Sequence, residues 1–183
     1  LLKRFGASRR TIKRTLAGDF YVRKEDVVFH DKVGDGHVGD VFKAEVQGAK
    51  AAVKRLRSVY AEESKEMSDL ITELRMLSFD LAHPHIVEFR GVCAVDNMVN
   101  LIFEFMDGGS LEDYFSMWSR SRSRVCGFWA KKPPIEKTLE WGSQLMSALA
   151  FLHGKEPPIA HRDLKPANLM LSKDLKTLKV ADF

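Results

Sequence analysis

Cysteine and proline are scarce, at two and six residues of 183. Cys93 and Cys126 lie far apart, and no charged-then-apolar leader opens the chain. That pattern argues against a disulfide framework or a zinc site and for two reduced thiols in an intracellular protein. The six histidines show no metal-ligand spacing, and His83 and His85, alternating across Pro84 before a strand-like run, read as structural. No apolar run approaches the roughly 18 residues that cross a bilayer. The expected location is therefore cytoplasmic, or the intracellular part of a larger chain. An initiating Met is also missing and the last residues sit in a strand-like stretch, so both ends read as cut.

What is present is ordinary globular material: 45% hydrophobic and 30% charged residues, with a net charge of +4. The charge is unevenly spread. Residues 1–24 hold +7 and Ser116–Lys132 hold +5, which leaves −8 on the remaining body. A basic arm can meet nucleic acid or an acidic membrane surface. Here the basic residues avoid the body of the domain, so both segments read as solvated flanks and no nucleic-acid partner is expected.

Residues 1–24 read as a basic flank. From Asp26 the texture changes to strands: Val27–Val33, Val38–Ala44 after a glycine-rich turn, and Ala49–Leu56. Met67, Leu70, Ile71, Leu74, Leu77 and Leu81 recur at helical spacing, and Pro84 stops that helix. Ile86–Val92 and Asn100–Met106 read as two more strands. Asp107-Gly108-Gly109-Ser110 is a connector, with Ser110 placed to cap a short helix at Leu111–Phe115. Ser116–Pro134, containing Ser-Arg repeats and Pro133-Pro134, reads as a basic loop insertion. Ile135–His153 reads as an amphipathic helix with Leu139, Leu145, Met146, Leu149 and Leu152 on one side. The expected class is α+β: a five-stranded antiparallel lobe with one main helix over 25–106, then the first, mainly helical part of a second lobe over 107–183.

Gly34, Gly36 and Gly39 allow backbone N–H groups to approach phosphates. A strand rather than a helix follows them, which excludes a dinucleotide fold and makes them the cap of a hairpin. Lys54 ends the small-residue run Ala51-Ala52-Val53. By itself it would pass for a surface lysine, but Glu73 lies at the edge of the helix's apolar face, where a carboxylate needs a cation. The densest signal is His161-Arg162-Asp163-Leu164-Lys165-Pro166-Ala167-Asn168, followed fourteen residues later by Asp182. Such spacing can bring a carboxylate base, a cation and hard oxygen ligands to one centre. Asp and Asn oxygens together suit Mg2+.

In this order the motifs resemble those of the eukaryotic-type protein kinase domain, over roughly Asp26–Phe183. The resemblance implies ATP and Mg2+ as nucleotide and metal, and transfer of the γ-phosphate to a protein hydroxyl. By residue, it implies that Lys54 holds the α/β-phosphates and pairs with Glu73. Asp163 orients the substrate hydroxyl and takes its proton, Lys165 balances charge on the phosphoryl group, and Asn168 and Asp182 hold Mg2+. Val33, Gly34, Gly36, Gly39, Val41 and Ala52 line the nucleotide, Phe103 is the gatekeeper, and Glu104-Phe105-Met106 is the hinge. His161, Leu77 and Phe183 resemble the family's hydrophobic spine. Lys165-Pro166 resembles the Ser/Thr-specific form of the loop, while Glu104–Leu111 and the Trp141 helix resemble the tyrosine-kinase-like branch.

Three other readings stand beside this one. A pseudokinase or scaffold would share the fold, yet Lys54, Asp163, Asn168 and Asp182 are all present. A small-molecule kinase of the aminoglycoside type is opposed by the full His-Arg-Asp-Leu-Lys-Pro run, and a nucleic-acid module by the charge distribution. Ala51 stands where Val is more usual, and the Asn168–Asp182 spacing is about one residue longer than the commonest form. Ending at Phe183 leaves no activation segment for Arg162 to pair with and no later helices for Ile135–His153. The expectation is that these 183 residues alone are poorly stable and inactive.

Overall fold

The computed structural model describes residues 22–35, 39–56, 81–95, 98–121 and 133–182. Gly36, Glu73, Leu77, Cys126 and Phe183 lie outside them. So do the basic flank as far as residue 21 and the helix expected from Met67, as far as residue 80. The chain divides into two compact units. One holds the described residues before 81 together with Glu88–Phe105; the other holds Leu81–Val87 and the chain from Met106 onward.

In the first unit five strands pair antiparallel: β1 (Val27–Asp35), β2 (Gly39–Val46), β3 (Ala49–Leu56), β4 (Phe89–Val95) and β5 (Met98–Glu104). Their order is β1-β2-β3-β5-β4. The period-two alternation of a strand separates two faces. On one face Val27, Ala44, Ala51, Val53, Cys93, Val95 and Ile102 form a buried cluster, with Val22, Phe29 and Val46 against it. Ala51 is fully buried there, where a small side chain fits beneath its neighbours. Arg55 continues that face, its guanidinium 4.6 and 4.8 Å from the Phe29 and Phe42 ring centres. It also donates to the Asn100 Oδ1 at 3.3 Å. Cys93 is a free buried thiol whose pKa burial pushes up to about 11, against a smaller lowering by Arg55.

The second unit contains α1 (Leu111–Ser121), α2 (Ile135–His153) and the short hairpin β6 (Leu169–Leu171) and β7 (Leu178–Val180). Ser110 caps α1 as expected. Its Oγ accepts the Asp113 N–H at 3.0 Å and donates to the Asp113 carboxylate at 2.7 Å. The helix runs six residues past Phe115, so Ser116–Ser121 is helix and not the start of a loop. The cap fixes the first turn, and once nucleated the helix adds one bond per residue, which carries it through a stretch whose Ser and Trp residues have only middling propensity.

The bounds of α2 match the sequence reading, but its buried seam differs. Trp141, Ala148 and Leu152 are buried, whereas Leu139 and Met146 are 66% and 64% exposed. At roughly 100° per residue, Leu139 and Met146 lie about 120° or more around the helix from that seam. They form a separate stripe with Ile135, which is 65% exposed.

The β6–β7 hairpin is extended at both edges. Ser110 bridges to Met170, and Ile86 bridges in parallel to Val180. Gly108 N–H donates to the Leu171 carbonyl at 3.0 Å, and Leu171 N–H to the Gly109 carbonyl at 2.8 Å. On the other side Val87 N–H donates to Val180, and Val180 N–H to His85, both at 2.9 Å. The hairpin is thus the centre of a four-segment patch, with neither strand left as an open edge.

Candidate active site

On the first unit, Ala52 and Lys54 occupy the sheet face opposite the buried cluster. The register sets Lys54 between Val41 and Leu101, Ala52 beside Phe103, and Gly34 beside Val41. Lys54 is 8% exposed, so it is not an ordinary surface lysine. A buried ammonium is tolerated only where anionic or acceptor groups compensate it. Phe103 packs edge-to-face on Phe89, with ring centres 5.6 Å apart. Glu104 exchanges two bonds with Glu88: its N–H donates to the Glu88 carbonyl at 2.9 Å, and its carboxylate accepts the Glu88 N–H at 2.8 Å. Val33 is exposed. Gly39 has a reason for being glycine that spacing did not suggest. A Cβ there would lie 2.3 Å from the Arg55 carbonyl oxygen, so the close approach of β2 and β3 requires its absence.

On the second unit the loop before β6 is knitted around Asp163. Its carboxylate Oδ2 accepts from Lys165 Nζ at 2.7 Å and from Asn168 Nδ2 at 3.1 Å. The same Asn168 amide donates to the Asp163 carbonyl at 2.8 Å. The hydrogen bond from Lys165 holds the Asp163 carboxyl below the usual carboxylate range; burial opposes it, and a smaller bond from Asn168 adds to the lowering. Lys165 is correspondingly raised, chiefly by its bond to Asp163, with Asp182 and Glu112 adding attraction.

His161 is buried. Its Nδ1 receives the Asp163 N–H at 3.3 Å, which leaves Nε2 to carry the proton and donate to the Ala181 carbonyl at 3.0 Å. Ala181 N–H donates in turn to the Asn168 carbonyl at 2.9 Å. Arg162 (φ +64°) and Asp182 (φ +56°) both take the left-handed backbone that L-residues seldom adopt. Such strain persists only where surrounding bonds over-determine it, and it gathers at functional loops. The His161 and Ala181 bonds supply that constraint on both sides.

Asn168 is 7% exposed and spends its amide hydrogens on Asp163. Its Oδ1 has no hydrogen-bond partner among the described residues. A buried amide oxygen and the Asp182 carboxylate, carried at the two ends of one hairpin whose base is closed by the Ala181–Asn168 bond, are the kind of hard oxygen donors that suit Mg2+. Met106 is buried and its carbonyl accepts the Gly109 N–H at 3.2 Å.

Residues 27–183 match the family model of the protein kinase domain. The chain belongs to the protein kinase family. Among curated relatives, it is 36% identical over 170 residues to the seven transmembrane domain-containing tyrosine-protein kinase 1 of Dictyostelium discoideum, covering 90% of this chain and 23% of that protein. It is 32% identical over 166 residues to mitogen-activated protein kinase kinase kinase 7 of Drosophila melanogaster, covering 89% and 22%. It is 38% identical over 152 residues to the putative U-box domain-containing protein 53 of Arabidopsis thaliana, covering 82% and 17%. The chain thus spans about a quarter or less of the length of these relatives. The five-stranded antiparallel sheet is that of a protein-kinase-like fold, and protein kinases as a family use ATP and Mg2+.

Sequence reasoning used Trp141 only as a mark of its helix and did not single out Gln144. The Trp141 Nε1–H donates to the Leu175 carbonyl at 3.0 Å, and Gln144 bonds the same turn twice. The signal that could have found Gln144 is a long amide placed beside an apolar seam, where its polar atoms need partners. No helix among the described residues is long and apolar enough to cross a membrane.

Proposed function

We propose that the protein is a Ser/Thr-directed protein kinase, transferring the γ-phosphoryl group of ATP to a protein hydroxyl. The observation that carries the reading is the Asp163 network. One carboxylate is held by an ammonium and a buried amide, and that amide donates through its nitrogen, which leaves its oxygen uncommitted among the described residues. Lys165-Pro166 supports the Ser/Thr preference. The relatives' names include both a tyrosine-protein kinase and a RasGEF domain-containing serine/threonine-protein kinase.

Asp163 receives the substrate hydroxyl as a hydrogen-bond donor and aims its oxygen at the γ-phosphorus. A carboxylate held below its usual range is a weak base, so it orients first and takes the proton late, as the new O–P bond forms. The bond from phosphorus to the bridging oxygen of ADP breaks, and ADP leaves with that electron pair. Lys165 offsets charge on the moving phosphoryl oxygens, and Lys54 would hold the α/β-phosphates, with Glu73, outside the described residues, as the carboxylate the family resemblance assigns to it. Gly34, Gly36 and Gly39 with Val33, Val41 and Ala52 cover the nucleotide, and Phe103, Glu104 and Met106 border adenine. Asn168 Oδ1 and the Asp182 carboxylate would hold Mg2+, which when bound supplies positive charge to the phosphate oxygens. Catalysis of this kind works inside the cell, where ATP is abundant.

The test compares the intact protein with Asp163→Ala on peptides offering Ser, Thr or Tyr. The expected result is transfer to Ser and Thr, with a loss of about 10²–10⁴-fold in the variant. Equal rates in the two proteins would remove Asp163 from the mechanism. Preference for Tyr would overturn the specificity, and nucleotide binding without transfer would make the protein a pseudokinase.

A further inference from the structure

The β6 and β7 strands are three residues each, so the hairpin depends on its neighbours: flanking segments pair with both strands, and the turn beyond them needs partners of its own. At its base Asn168 precedes β6 and Asp182 follows β7, with the Ala181–Asn168 bond between them. At its tip the turn satisfies several of its own donors: Leu175 N–H reaches the Ser172 carbonyl, Lys176 N–H the Asp174 carboxylate, and Thr177 N–H the Ser172 Oγ. Three groups of the turn and its exit are met instead by α2. The Leu175 carbonyl takes the Trp141 indole N–H at 3.0 Å, and the Lys176 carbonyl takes the Gln144 amide N–H at 3.0 Å. Leu178 N–H donates to Gln144 Oε1 at 2.6 Å. Leu175 is itself held at φ +59°. Trp141 is buried and packs edge-to-face on Tyr114 of α1, so the clamp stands on two helices.

We propose that Gln144, supported by Trp141, is a positioning residue for a divalent cation held by Asn168 and Asp182. The inference rests on the metal assignment made above. The hairpin is a lever about 10 Å long, at roughly 3.3 Å per residue. Metal–ligand distances must be kept within about 0.2 Å. Loosening the tip therefore spreads the two oxygens at the base without touching either of them. Gln144 is suited to this because one planar amide donates to the Lys176 carbonyl in the turn and accepts from the Leu178 N–H two residues later, at the start of β7, which fixes the turn in both directions.

The test is Mn2+ binding to the intact protein with a non-hydrolysable ATP analogue, followed by the electron paramagnetic resonance signal of free Mn2+. Gln144→Ala removes both bonds, and Gln144→Glu keeps only the acceptor. Leu152→Val trims the same buried seam of α2 and leaves the Trp141 and Gln144 bonds in place. Gln144→Ala is expected to weaken Mn2+ binding about 3- to 10-fold, below the ~10–100-fold typical of losing a ligand's own partner. Gln144→Glu should fall between, and Leu152→Val should bind like wild type at a lower melting temperature. Should Gln144→Ala fail to fold, Gln144→Glu decides alone. Wild-type Mn2+ affinity in the folded Gln144 variants, or equal weakening in Leu152→Val, would overturn the proposal. Wild type that binds no Mn2+ would overturn it together with the metal assignment. Mn2+ binding without phosphate transfer would remove the catalytic reading and leave this one standing.

Discussion

Replacing glycine by alanine at two positions of the second unit should move stability in opposite directions. At Gly108 a Cβ would lie 2.4 Å from the Ser172 carbonyl oxygen and 2.6 Å from that of Leu171. Both are backbone atoms, so no side chain can swing away and the strand itself must yield. Yielding disturbs the Gly108–Leu171 and Leu171–Gly109 bonds, each worth about 0.5–1.5 kcal/mol net. Overpacking adds about 1–3 kcal/mol. A loss of about 2–4 kcal/mol follows, or roughly 5–15 °C in Tm for a domain of this size. At Gly142, exposed within α2, a Cβ would meet nothing within 4 Å. Alanine there should gain about 0.8–1 kcal/mol from helix propensity. Urea denaturation followed by circular dichroism measures both, with an unchanged m-value certifying the comparison. A Gly108→Ala midpoint within about 0.5 kcal/mol of wild type would refute the argument from close approach.

Two further outcomes follow from single contacts. Ser110→Ala removes both side-chain bonds with Asp113 and should cost about 1 kcal/mol, seen as a lower urea midpoint and lost helical ellipticity; an unchanged midpoint would show the cap to be idle. His83 stacks on Phe151, accepts the His85 N–H at Nδ1, and faces Ser147 through Nε2. Burial, with repulsion from His85, lowers its pKa from 6.5. The unfolded chain then binds the proton more readily. Stability is full above the ordinary imidazole range and is lost as pH falls below it. Melting between about pH 7.5 and pH 5.5 should fall more steeply for wild type than for His83→Gln, and equal slopes would contradict the assignment.

What the sequence made legible follows the periodicities. The bounds of β3 are readable from its small and branched residues and those of α2 from apolar residues at helical spacing. The ends of β4 and β5 shift by two or three residues, because Gly91 (φ +151°) and the register irregularity between Phe89 and Gly91 interrupt the alternation. The exposed stripe of α2 was not legible, since Leu139 and Leu152 look alike in a helical count until a neighbour is known. The loop around Asp163 was readable as a set of residue types. Its bonding was not, because Asn168 spends both amide contacts on a residue five positions away. The longer Asn168–Asp182 spacing is absorbed in the turn: the β6–β7 register runs from Leu169 opposite Val180 to Leu171 opposite Leu178 without a shift.

That division of labour within Asn168 separates its structural role from its proposed one. An oxygen ligand alone could be supplied as well by aspartate, which would add charge favourable to a cation. The Nδ2 atom, however, donates at 2.8 Å to the Asp163 carbonyl and at 3.1 Å to its carboxylate. Asn168→Asp would set a carboxylate oxygen against two acceptors at a site only 7% exposed. It would both remove hydrogen bonds to a charged partner, worth about 1.5–3 kcal/mol, and introduce repulsion. Asn168→Ala removes the bonds without the repulsion. Urea midpoints should therefore fall in the order wild type, Asn168→Ala, Asn168→Asp at neutral pH. Lowering the pH should narrow the gap between the two variants, because the introduced carboxyl regains a donor hydrogen when it is protonated. An Asn168→Asp protein at least as stable as Asn168→Ala at neutral pH would show that the amide does not hold Asp163 in place.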